Sequence, residues 1–271
     1  MTLERQRAEK EFYDLFYKDG WEKQDQYIDE SIVPPNMLIY WSLVKEHISC
    51  LKRRQTKVQV LDCGCGHGVL AILLAKLGAQ ITAVDISPNS IKIAKQVAYV
   101  NKVEEKISFT VAALEDLPFR DRCFDYVFGT RVLHHVDVQS SGFQLSRVLK
   151  NAGKGIFWEC TEKNPLLRFV RKHIRRLIPI AKFGTKHEHP LTEEEIDTLG
   201  MIFGKPAHIV YAPFYFFSFL DQYVFRHRAK ILTRLVTGID AAIARYLPYL
   251  NRYSFHQILI LEKDGAKGKN S

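Results

Sequence analysis

The chain of 271 residues predicts an α/β fold, a doubly wound and mostly parallel sheet covered by helices on both faces. Three observations point there. Seven apolar runs of strand length occur, and in the middle of the chain they alternate with segments that are apolar at helical spacing. The first run, Val58-Gln-Val-Leu-Asp62, ends in an acid, and Gly64, Gly66 and Gly68 follow before a second apolar segment, Val69–Leu77. The next run, Gln80–Asp85, also ends in an acid, 23 residues after Asp62. Strand, glycine turn and helix place bare backbone and unpaired helix N–H groups beside two carboxylates.

In chain order, residues 3–20 are charged and carry Phe12, Tyr13, Phe16 and Tyr17 on one helical face. That face either packs on the core or lies over the site as a lid. Residues 21–35 are polar, end at Pro34-Pro35 and read as a loop; Asn36–Leu51 reads as a helix. The core then runs strand 58–62, helix 68–77, strand 80–85, helix 88–100, strands 107–112 and 124–128, helix 139–150 and strand 154–160. Ser87-Pro88 suits a helix start, a capping hydroxyl followed by a first-turn proline. Asn164-Pro165 opens a helix that Pro179 stops, with Arg168, Arg171, Lys172, Arg175 and Arg176 opposite its apolar arc. After a loop with His187 and His189, Thr192 and Glu195 have capping-box spacing. Residues 207–212 read as a strand, 214–252 as an insertion with a second basic helix over 222–246, and 253–262 as the closing strand.

Composition bounds the rest. At 46% hydrophobic the chain can fill one elaborated domain. Five cysteines, an odd number, show no disulfide framework, and the polar start is unlike a secretory leader, so a cytoplasmic location is expected. No apolar run approaches the ~20 residues that span a bilayer. Net charge is +9, and it is uneven: residues 164–182 carry +6, residues 214–252 carry +4, and the remainder is close to neutral. The basic excess therefore sits on the two inserts. Their apolar and basic arcs suit helices resting on an anionic membrane surface, with Phe214–Phe219 at headgroup level.

The glycine turn is not a dinucleotide fingerprint, because Val69 stands where Gly or Ala is needed. Asp85 is placed to accept both hydroxyls of a ribose. Four motifs occur in order: Asp62-x-Gly64-x-Gly66-x-Gly68, Ala83-Val-Asp-Ile-Ser87, Glu115-Asp-Leu-Pro-Phe119, and Phe124-Asp-Tyr-Val-Phe128 followed by Val132-Leu-His-His-Val136. Together they resemble the class I S-adenosylmethionine-dependent methyltransferases of the methyltransferase type 11 domain group, over roughly residues 55 to 160. The resemblance implies a seven-stranded, mostly parallel, Rossmann-like methyltransferase sheet with S-adenosyl-L-methionine across its first strands. It implies Asp62, Gly64, Gly66 and Gly68 near the methionine part, Asp85 on the ribose and Ile86 against adenine, with Gly129 and Thr130 completing the set. Family members commonly carry Asp where Ala113 stands; the backbone at Leu114, or Glu115 or Asp116, would serve adenine instead. The matching domain plan is an N-terminal helical lid over 1–55, a cofactor-binding core over 56–162 and a helical cap over 163–206. Residues 207–263 complete the sheet, and a disordered tail follows over 264–271.

A sulfonium methyl needs alignment and exclusion of water, and a base only where the acceptor must lose a proton. The candidates are His134 and His135 after the fourth strand, Glu159 near the end of the fifth, and His187 and His189 in the cap. Cys63-x-Cys65-x-His67 lacks the spacing of a closed zinc site, so no metal is expected. The apolar, aromatic inserts point to a small hydrophobic or lipid-like acceptor. The competing readings are a nucleic-acid methyltransferase and a non-catalytic binding module. The first lacks the Asn/Asp-Pro-Pro-aromatic motif of base-amino enzymes; Gly129-Thr-Arg-Val stands in its place. The intact Asp62, glycines and Asp85 argue against the second.

Overall fold

The computed structural model describes residues 2–18, 26–161, 163–165, 168, 185, 188–221 and 230–265. Seven strands form one sheet in the order β3-β2-β1-β4-β5-β7-β6. These are β1 (Gln59–Cys63), β2 (Gln80–Asp85), β3 (Ile107–Val111), β4 (Phe124–Thr130), β5 (Leu149–Cys160), β6 (His208–Tyr211) and β7 (His256–Glu262). Strands β1 to β5 are parallel where they pair, and β7 inserts antiparallel between β5 and β6. The helices are α1 (Thr2–Phe16), α2 (Leu38–Lys52), α3 (Val69–Lys76), α4 (Pro88–Val100), α5 (Val138–Val148), α6 (Glu193–Phe203), α7 (Phe217–Leu220) and α8 (Lys230–Tyr246).

The expected sheet and its order of elements are present, with β2 and α4 matching to the residue. Strand β5 starts earlier than the apolar run, at Leu149, because its first residue pairs with Phe124 before a register shift. Two cores result. One joins β-strand residues Val60, Phe128, Ile156 and Trp158 to α2, α3 and α4; the other joins Leu61, Val127, Phe157 and Leu259 to α5 and α6. Burial on both faces explains why the central strands read as nearly continuous apolar runs.

The chain winds outward from β1 to β3, then returns to β4 on the other side of β1. That reversal opens a crevice at the carboxyl ends of β1 and β4, where open α/β sheets bind ligands. The loops there touch: a Cβ added to Gly64 (φ +62°) would meet Val132 Cγ2 at 2.5 Å.

Two expectations change. The aromatic insert does not face outward; Phe214, Phe217 and Phe219 pack with buried Phe216 and Phe255 in a small third core. Burying those rings against one another removes apolar area from water, which an outward insert would not. Asp264 does not begin a free tail, since its N–H donates to Phe203 O at 2.9 Å. Apart from residues 164, 165 and 168, the basic helix expected over 164–178 lies outside the described residues, as do residues 222–229 of the second one and the tail from 266.

The insertion is anchored by one buried carboxylate on α8. Asp240 accepts the N–H groups of Phe216 (3.2 Å), Phe217 (3.1 Å) and Ser218 (2.7 Å). Hydrogen bonds to a charged group contribute about 1.5–3 kcal/mol each, and they share one acceptor here. Asp240→Ala should lower stability by about 3 kcal/mol in urea titration. An unchanged midpoint and slope would show that the insertion is held otherwise.

Candidate active site

Each acid at a strand end keeps its side chain at the crevice. Asp85 Oδ2 accepts the Gly66 N–H (2.9 Å) and Oδ1 accepts the Ser87 N–H (2.9 Å), so this carboxylate shapes the glycine turn while facing the edge. Burial raises its pKa, against the hydrogen bonds from Ser87 and Gly66. Asp62 is 1% exposed, and its Oδ2 has no hydrogen-bond partner. Burial, with the Asp85 charge added, raises its pKa to about 8. A buried orphan oxygen beside a glycine turn suits a cationic ligand group. Ile86, Val111, Ala112 and Ala113 line a cleft of about 390 Å³, roofed by Leu3, Gln6, Arg7 and Lys10 of α1. At the position where Asp is usual, Ala113 thus leaves open space. Leu114 is buried in the second core, and Glu115 Oε1 accepts the Asp137 N–H (3.0 Å). Gly129 backs on Val132 and Phe157, while Tyr40 donates from its hydroxyl to Gly129 O at 3.3 Å. Thr130 ends β4 beside it.

The second half of the site is built by Glu159, which is fully buried. Its Oε1 accepts the N–H groups of Val132 (2.9 Å) and Leu133 (2.8 Å), and its Oε2 lies 2.7 Å from His134 Nδ1. Both oxygens are therefore engaged, and Glu159 holds the 3-10 turn Leu133–His135 rather than facing an acceptor. His135 turns elsewhere. Its Nδ1 lies 3.1 Å from Glu9 and 3.3 Å from Glu188, and its Nε2 lies 3.2 Å from the Tyr13 hydroxyl. Burial alone would lower its pKa, but hydrogen bonds and charge from Glu188 and Glu9 outweigh that and raise it to about 9.

Helix α1 lies across both halves. At the nucleotide end, Asp14 accepts from the Ser87 hydroxyl (2.5 Å) and the Asn89 N–H (3.3 Å). At the other end, Arg5 donates to the carbonyls of His134 (2.7 Å) and His135 (2.9 Å), and Glu9 reaches His135 and the Thr185 hydroxyl. Between them, the Tyr17 hydroxyl sits where a Cβ on Gly66 (φ +51°) would be, 2.8 Å away. The aromatic stripe thus faces the site as well as the core. No sequence spacing revealed Arg5, Glu9, Asp14 or Glu188, because each acts on a residue more than fifty positions away.

Other candidates fall outside. His187 is not among the described residues, and His189 is half-exposed, 3.8 Å from Glu195. Cys63 and Cys65 are buried free thiols beneath the turn. His134, His135 and Glu188 offer ligand atoms within 4.8 Å of one another. Each of these imidazoles already faces a carboxylate, so the cluster is satisfied by protons and ion pairs.

Residues 61–157 match the model of the methyltransferase domain family. A ubiquinone biosynthesis O-methyltransferase of Xanthomonas oryzae pv. oryzae is 33% identical over 135 residues, 48% of this chain and 54% of that protein. The chain thus matches about half the length of this relative. The structure of the [4+2]-cyclase SpnF is similar at a TM-score of 0.56 and 19% identity, over 96% of this chain and 97% of that one. The geranyl diphosphate C-methyltransferase of Streptomyces coelicolor A3(2) is similar at a TM-score of 0.54 and 14% identity, over 96% of this chain and 98% of that one. Its structure holds Mg2+, geranyl-S-thiolodiphosphate and S-adenosyl-L-homocysteine. At those identities the two structures speak for the fold alone. The motifs and this match together mark residues 61–157 as similar to a methyltransferase domain. The cofactor of that domain is S-adenosyl-L-methionine.

The residues present fit that cofactor. Asp62 would hold the ammonium of its methionine part, Asp85 the ribose, and Ile86 with Ala113 the adenine. Because burial holds Asp62 above its ordinary 3.8, the ligand-free fold binds this proton more tightly than the unfolded chain does. The group's contribution to stability is thus full below about pH 4 and is lost as pH rises through about 8. At pH 7 a cationic ligand group should expel the proton. Calorimetric titration of S-adenosylhomocysteine in two buffers of different ionisation enthalpy should show release of about one proton. Asp62→Asn should abolish that release; the same release in the variant would remove Asp62 from this role.

Proposed function

We propose that this protein transfers the methyl group of S-adenosylmethionine to a small, hydrophobic or lipid-like acceptor, and that His134 accepts the proton where the acceptor must lose one. The bound cofactor supplies a sulfonium methyl that is already activated. The residues of the chain orient it and keep water out. Glu159, buried and aimed at Nδ1, fixes the ring of His134 and leaves Nε2 as its basic nitrogen. This pair is the observation that carries the reading: an imidazole oriented by a third group, at the carboxyl edge, is the arrangement of a general base. His135 is held charged by Glu9 and Glu188, so it serves to pin α1 over the site. The relative named as a ubiquinone biosynthesis O-methyltransferase supports a small-molecule acceptor. His134→Gln should lower turnover at saturating substrates by about 100-fold or more, the usual size of a lost general base, with cofactor affinity unchanged. Equal turnover would leave the chemistry to alignment alone.

The same reading places the protein on an anionic membrane surface, where a lipid-like acceptor resides. No described helix is long and apolar enough to cross a membrane. Helix α8, however, shows water an apolar row spaced by four: Ile231 (84% exposed), Leu235 (60%) and Ile239 (38%). Tyr246, Leu247 and Tyr249 extend it, and Arg234 and Arg245 are exposed on the same helix. Apolar and basic side chains together on one helix suit an interface of anionic lipid. Liposome sedimentation should show binding that needs anionic lipid, weakens with salt, and falls when Ile231 and Leu235 become Asp. Protein left in the supernatant at low salt would end the membrane reading.

A further inference from the structure

The methyl-transfer reading leaves open what the acceptor carries besides the methylated atom. One residue at the acceptor end of the site is unexplained by the fold. Arg131 follows β4 with φ +54°, a left-handed conformation that a non-glycine residue adopts only when its surroundings require it. Its N–H donates to Trp158 O at 2.7 Å, so strand β5 holds the backbone there. The next two N–H groups are gripped by Glu159. The strain therefore sits where the loop is most tightly fixed, and it directs one side chain outward.

That side chain is exposed and has no hydrogen-bond or ion-pair partner among the described residues. Its charge acts on Tyr13 of α1, on Tyr17 just after that helix and on His256 of β7. His256 is 8% exposed, stacks on Trp158 with ring centroids 4.7 Å apart, and its Nδ1 is buried without a partner. Burial first, with Arg131 and His134 adding, pushes its pKa down to about 3, so this ring is neutral. Arg131 thus stands near a buried aromatic pair, Trp158 and His256, whose His256 Nδ1 has no partner among the described residues.

The nearby acids do not neutralise that cation. Glu159 is taken by two N–H groups and His134, while Glu9 and Glu188 flank the charged His135. Arg5 is spent on backbone carbonyls. Of the two arginines described at this end of the site, Arg131 is thus the one without a partner among the described residues.

We propose that Arg131 is a specificity-determining residue that binds an anionic group, carboxylate or phosphate, on an otherwise apolar acceptor. The proposal rests on the methyl-transfer reading, because it assigns the acceptor's side of that same site. A planar guanidinium recognises either anion through paired N–H donors.

The test uses three probes of one shape: 2-naphthoate, 2-naphthyl phosphate and 2-naphthamide. Each is titrated calorimetrically into full-length protein saturated with S-adenosylhomocysteine. At least one anion should bind, about ten- to hundred-fold more tightly than the amide, the range for a lost charge-assisted pair. Which anion binds more tightly separates a carboxylate acceptor from a phosphate one. R131Q should bring the anion down to the affinity of the amide, with S-adenosylhomocysteine affinity and melting temperature unchanged; R131K should recover part of the difference. Equal binding of anion and amide, an anion affinity that survives R131Q, or no binding of any probe would overturn the proposal alone. Failure of wild-type protein to bind S-adenosylhomocysteine would overturn the methyl-transfer reading, and this proposal with it.

Discussion

The carboxylate of Glu159 is the constraint on which the site depends. A fully buried carboxyl group is costly unless it is hydrogen-bonded, and here two backbone N–H groups and one imidazole engage both its oxygens. The bond set ties β5 to the turn after β4 and settles where His134 points. The residue just before these two N–H groups, Arg131, has a left-handed φ of +54°. Gly64 then completes the fit, since any side chain there would collide with Val132. The loops after β1 and β4 are thus a single packed unit.

Helix α1 couples that unit to the outside. Asp14 grips the start of α4 and Arg5 grips the turn after β4, with Glu9 and Tyr13 on His135 between them. The cleft at Ile86 and Ala113 is roofed by the same helix. A ligand of that cleft cannot enter without disturbing contacts that also order the acceptor side. The cleft and the turn after β4 are therefore linked through one element.

Much of this was legible in the sequence. The strand, turn and helix from Val58 to Leu77, the acids Asp62 and Asp85, and the cap Ser87-Pro88 are local patterns, and local physics decides them. The capping box at Thr192 and Glu195 is equally local and is present. The role of Glu159 was half legible: its place near the strand end marked it, but its full burial could not be read from neighbours. The long-range partners were not legible at all. Glu9 meets His135 across 126 positions and Arg5 meets His134 across 129. The aromatic insert was misjudged because composition shows that rings must be buried somewhere, not against what. Fold alone would also have left the activity open, since the cyclase SpnF shares this architecture.

The most direct measurement is mass spectrometry of a cell extract incubated with the protein and trideuteromethyl-labelled S-adenosylmethionine. The account predicts a labelled small molecule, soluble in organic solvent at acid pH, whose formation depends on intact Asp85 and His134. Cofactor bound by the wild type with no labelled product from any extract fraction would contradict it, and would make the chain a cofactor-binding module rather than an enzyme.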